Sequence, residues 1–252
     1  MISPTARLFL FCTVAGGSLL ACGSEKAAGP AGSAVIDAGD GGNYHPTLTS
    51  TDTVDVIDNT YLPLRPGSHW RYEGDTENGH EVTDVVVTSD RRTIIGISAI
   101  VVHDTVTVDG EILEDTFDWY TQDRAGNVWY LGEATKEYED GAAASTAGSW
   151  EAGVDGALPG IVMPASPTAG SAFRQEFYRG EAEDLMKIVG TGGDITVPAG
   201  AYSDVLTTNE WTPLEPAVVE EKVYARGVGL IHESVLSGGT GTTELVAFTP
   251  GG

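Results

Sequence analysis

From about Tyr61 onward, apolar, β-branched and aromatic residues recur at every second position in short runs, and Gly, Asp and Asn punctuate them. A period of two belongs to strands, whose successive side chains point to opposite faces. The runs predict strands over 68–72, 80–88, 93–108, 111–121 and 127–137, then over 172–178, 194–197, 201–211, 218–225, 228–235 and 243–248. Only 181–189 (EAEDLMKIV) has a helical composition, with acids in the first turn where a helix dipole favours them. The expectation is an all-β domain: an antiparallel meander forming a strongly curved sheet or partly closed barrel, with at most one short helix. The stretch 140–170, rich in Gly, Ala, Pro and Ser around Trp150, exceeds ordinary loop lengths and predicts a functional loop or an insertion.

The sharpest local signal is Asp109-Gly110, a type I′ hairpin turn between two alternating runs. A two-residue loop sets Val108 opposite Glu111, and the uninterrupted register then sets Asp104 opposite Asp115, flanked by Val102, Val106, Leu113 and Phe117. Like charges directly opposite are unfavourable, so such a pair invites a compensating partner. Three readings stand open. A hard cation such as Ca²⁺ bridges it, a shared proton makes it an acid–base pair, or a basic side chain or solvent neutralises it. Pairing Gln122 with Asn127 across the next turn places Ala134 opposite Asp115 and Lys136 diagonal to it. On the other face His103 has Glu114 and Asp118 as diagonal neighbours, a ligand cluster or a hydrogen-bonded surface histidine. The candidate metal set is therefore Asp104, Asp115, Glu114 and Asp118.

Composition changes the picture in two ways. The 252 residues carry 37 acids against 13 Lys and Arg, a formal charge of −24, which makes nucleic acid a poor partner because phosphate recognition needs a basic face. The acids also concentrate: residues 109–140 hold ten against two bases. A charge run of this kind is ordinarily a solvated face. The sequence holds no G-x-S-x-G elbow, H-E-x-x-H, P-loop or EF-hand spacing, and its five histidines are scattered singly.

Residues 1–22 form a candidate secretion signal. Arg7 supplies a thin positive region, and the apolar run from Leu8 to Leu20 is shorter than the ~20 residues a membrane-spanning helix needs. It ends in Leu19-Leu20-Ala21-Cys22, which resembles the bacterial lipobox and implies lipid attachment at Cys22. The other cysteine, Cys12, falls inside the signal, so the remaining chain has no thiol for a disulfide or a thiolate metal site. The composition predicts a flexible tether over 23–60, poorest in large apolar residues up to Gly42, followed by a single β-rich domain over 61–252.

Two segments bracket that domain. Tyr61-Leu62-Pro63-Leu64-Arg65-Pro66-Gly67-Ser68-His69-Trp70-Arg71-Tyr72 opens it, and Tyr224-Ala225-Arg226-Gly227-Val228-Gly229-Leu230-Ile231 lies near its end. Together they resemble a broad group of uncharacterised bacterial secreted lipoproteins with a YxPLxxGxxWxY motif and a YAxGVGL hairpin. Arg226 stands where that pattern more often has proline. The resemblance implies a curved half-barrel cradling an apolar ligand, and it bears on fold more than on activity. The leading functional expectation is a lipid-anchored envelope protein, at the outer membrane if the cell is Gram-negative. Its role is non-catalytic binding of a small apolar ligand or an envelope protein, on a concave face lined by Trp119, Trp129, Tyr130 and Trp150. The alternatives are a Ca²⁺-binding envelope protein and a carboxylate-based hydrolase of extracellular polymers.

Overall fold

The computed structural model describes residues 44–252; the signal, Cys22 and the first part of the tether lie outside them. Eighteen strands follow in chain order: β1 (Thr53–Val54), β2 (His69–Thr76), β3 (Gly79–Ile94), β4 (Ile97–Val108), β5 (Glu111–Asp123) and β6 (Val128–Glu139). Next come β7 (Ala142–Ser145), β8 (Trp150–Glu151), β9 (Leu158–Met163), β10 (Ala172–Arg174), β11 (Glu176–Phe177) and β12 (Leu185–Thr191). The last are β13 (Asp194–Val197), β14 (Gly200–Ser203), β15 (Leu206–Trp211), β16 (Val219–Ala225), β17 (Gly229–Ser237) and β18 (Gly241–Thr249). All pair antiparallel, in the order β10-β12-β15-β16-β17-β18-β2-β3-β4-β5-β6-β9-β11, with β13–β14 a separate hairpin. The sheet curls into a barrel with one unsealed seam, where β10 runs directly into β11.

The expected all-β barrel is present, with corrections that have physical causes. Residues 181–189 are not helical. Leu185–Thr191 pairs with β10 and β15, burying Met186 and Ile188 while Lys187 and Val189 face out, so sheet pairing overrides a weak helical composition. The 201–211 run breaks into two strands at Asp204, which turns the chain with φ of 52°. The 140–170 stretch contributes β7, β8 and β9 to the sheet. Residues 44–60, placed in the tether by composition, belong to the fold: β1 pairs with β5, and the Tyr44 hydroxyl donates to Pro159 O at 2.6 Å.

The segment following β1 closes one end of the barrel. Ile57, Tyr61, Leu62 and Leu64 are buried in the core. Asn59 Nδ2 donates to Gly126 O and Pro164 O, the Tyr61 hydroxyl donates to Asp204 O, and Gly227 N donates to Thr60 O. Those acceptors and donors sit on the turns around that end, so the segment crosses it as a plug. The two bracketing motifs meet there. Trp70 Nε1 donates to Val228 O at 2.7 Å, the Tyr72 hydroxyl donates to Leu230 O at 3.0 Å, and the Arg226 guanidinium lies over the Tyr61 ring at 4.9 Å. β17 pairs with β18 only over residues 232–234, so these indole and phenol donors satisfy carbonyls that the sheet leaves free.

Candidate functional site

The Asp109-Gly110 turn forms as expected, both residues having positive φ, and Val108 pairs with Glu111. One step later the register changes. Thr107 pairs with Ile112 but Val106 pairs with Glu114, so Leu113 is an extra residue in β5. Asp104 therefore faces Thr116, not Asp115. A bulge of this kind bends a strand into barrel curvature, and here it also separates two like charges. Asp104 turns inward, while Asp115 faces outward against His103, whose Nε2 lies 2.6 Å from Asp115 Oδ1, and directly opposite Lys136. The His103 ring stacks on Phe117 at 4.4 Å. The expected clusters Asp104/Asp115 and His103/Glu114/Asp118 are thus both taken apart.

What the bulge assembles instead is an acidic interior. Rows of paired residues cross β2 to β6 along the barrel axis. Nearest the plug lies Ile100–Tyr120–Tyr130, then Val87–Val102–Asp118–Glu133, then Trp70–Val85–Asp104–Thr116–Thr135. Beyond these lie Tyr72–Thr83–Val106–Glu114 and Gly74–Glu81–Val108. The lining passes from apolar at the plug to acidic toward the Asp109-Gly110 end. Three of the four candidate metal residues, Asp104, Glu114 and Asp118, share this interior, and Glu81 and Glu133 join them.

Their environment decides their protonation. Asp104 is 4% exposed, and neither carboxylate oxygen has a hydrogen-bond partner. Burial first, then the charges of Asp118, Glu114, Glu81 and Glu133, push it well above the usual carboxylate range. Burial likewise raises Glu81 and Asp118, each to about 7. The Tyr130 hydroxyl stands 2.6 Å from Asp118 Oδ1 and 3.0 Å from Glu133 Oε2. A phenol has a single proton to give, so the two carboxyls share one donor.

The opposite wall, β15 to β17, carries the compensating charge. Lys222 Nζ lies 3.1 Å from Glu210 Oε2, 3.6 Å from Glu233 Oε2 and 3.9 Å from Glu220 Oε2. Burial disfavours the ammonium, but these three glutamates outweigh it and hold Lys222 charged. Glu210 accepts from Thr208 Oγ1, Tyr224 Oη, Gln175 Nε2 and Lys222. Glu220 and Glu233 are raised, chiefly by burial. One lysine cannot neutralise three glutamates together with the acids of the facing wall.

The aromatic candidates divide between two places. Tyr130 is inside, stacked on Tyr120 at 4.8 Å and meeting Trp150 edge-on at 5.3 Å. Trp150 reaches it because β8 pairs with β6 at Gly132 and Glu133. Gly132 has φ of +131°, and a β-carbon there would collide with Trp150 O, so glycine is required. Trp119 and Trp129 lie on the other face of β5 and β6, buried beneath neighbouring chain. Arg92 stacks on Trp119 at 4.1 Å, and Trp129 Nε1 donates to Asp123 Oδ2 at 2.9 Å. The four do not form a common lining. Sequence reasoning missed Glu81, Lys222, Glu210 and Glu233, although the alternation that buries Glu81 and Lys222 is visible in GHEVTDVVV and VEEKVYA once the inward parity is known.

Among the described residues, no three histidines, cysteines or acids stand close enough to grip one metal ion. No protein-family model matches the chain, and no curated protein matches it. Two solved structures are similar in part. One is a Bacteroides fragilis protein described as exported with a YmcC-like fold, and the other a Parabacteroides distasonis protein described as a lipoprotein. Each is 15% identical, and each match covers 76% of this chain and 100% of the other, with TM-scores of 0.45 and 0.40.

Proposed function

We propose that this chain is an exported envelope protein, lipid-anchored at Cys22, whose role is non-catalytic binding and whose ligand is cationic. The single observation that carries the ligand class is Asp104: an unpartnered, buried carboxyl surrounded by Glu81, Glu114, Asp118 and Glu133. Such a group is stable only with a proton or with a positive charge beside it. The ion exchanges with those protons, so uptake strengthens as pH rises. An apolar ligand is supported less well, because the four candidate aromatics are engaged in packing on two different faces. The hydrolase reading has one carboxyl pair in its favour, Asp118 and Glu133 bridged by Tyr130, but that pair is buried inside the barrel.

Thermal unfolding of the full-length chain in detergent at pH 8, with chelator and with millimolar Ca²⁺, tests the ligand class. The midpoint should rise with the cation; identical midpoints in both sink the reading. The anchor is tested separately: Cys22→Ala should abolish palmitate labelling and release the protein from membranes.

A further inference from the structure

Between β3, β17 and β18, at the acidic end of the barrel, lies a cavity of about 10 Å³ lined in part by Glu81, Glu233 and Thr243. That volume admits a single water-sized occupant. Glu81 is 1% exposed and both its carboxylate oxygens lack a hydrogen-bond partner. The same holds for two further buried oxygens of the lining, Glu233 Oε2 and Thr243 Oγ1. Buried polar atoms are nearly always satisfied in native structures, and here four unsatisfied oxygens belong to the lining of one small void. All are oxygens, with no nitrogen or sulfur ligand among them.

We infer that this void binds one small hard cation, Ca²⁺ or Na⁺, through Glu81, Glu233 and the Thr243 hydroxyl. The inference rests on the cationic reading above and gives it a place distinct from Asp104. Hard cations take oxygen ligands, and two carboxylates and a hydroxyl supply the charged part of such a shell. A water in the same void has two protons to donate against four unsatisfied oxygens, and it brings no charge to offset the two carboxylates once both are ionised. Lys222, 3.6 Å from Glu233 Oε2, is already committed to Glu210 at 3.1 Å.

The test is equilibrium binding of Ca²⁺ and of Na⁺ to the full-length, chelator-stripped chain at pH 8, followed by isotope. Wild type should bind one equivalent of one of them. Glu81→Gln and Glu233→Gln should each weaken it at least tenfold, and Thr243→Val should weaken it severalfold. Far-UV circular dichroism establishes that each variant folds, and Thr243→Val stands in for a glutamine variant that does not. Binding by wild type that all three variants retain unchanged overturns this site and leaves the broader reading standing. Wild type that binds neither ion overturns both.

Discussion

Lys222 and Glu210 form a buried ion pair at 3.1 Å. Glu210 takes four donors, so the pair is well furnished, and removing one partner alone leaves an uncompensated buried charge. Lys222→Met should therefore cost about 3–5 kcal/mol in urea unfolding at pH 7. Adding Glu210→Gln to it should recover part of that loss. A double variant no better than the single one would place the cost in packing and not in charge.

Stability should fall as pH rises. Glu81 and Asp118 have folded values raised to about 7 from ordinary values of 4.5 and 3.8. Over that interval the folded state binds more protons than the unfolded one, so the stabilisation present below about pH 4 is lost through about pH 7. One unit of displacement is worth about 1.4 kcal/mol, and the unfolding midpoint should drop on the order of 10 °C between pH 4.5 and pH 8 in chelator. A flat or rising profile would contradict the buried-acid account. Asp104→Asn should remove part of this dependence, stabilising the chain at pH 8 and having little effect at pH 4, whereas Asp115→Asn, on the outer face, should not.

Trp70→Phe should destabilise by about 1–3 kcal/mol, because it keeps an aromatic ring of smaller size but strands Val228 O without its donor. The loss should be additive with a remote surface change and not with Tyr72→Phe, which removes the adjacent donor to Leu230 O. A double-mutant cycle in denaturant reads both.

Much of the fold was legible. The run 111–121 became β5, 127–137 became β6 and 194–197 became β13, because alternation and turn chemistry are local properties. The Asp109-Gly110 turn fixed its first two pairs for the same reason. The motifs around Trp70 and Gly227 were visible as motifs, but nothing local says that an indole proton meets a carbonyl 158 residues later.

The candidate site was legible only in its residue types. Local alternation specifies a β meander, acids crowded on the hairpins around Asp109-Gly110, and apolar neighbours for Asp104. Tertiary structure alone decided which acids face inward. A single extra residue, Leu113, turns Asp115 out to His103 and Lys136 and keeps Asp104 in. Strand periodicity of two means that one bulge exchanges the faces of the residues that follow it in that strand. Closure then brings Glu81 of β3 beside Glu233 of β17, more than 150 residues away, and Glu114, Asp118 and Glu133, from a run that read as a solvated face, lie inside the barrel with them.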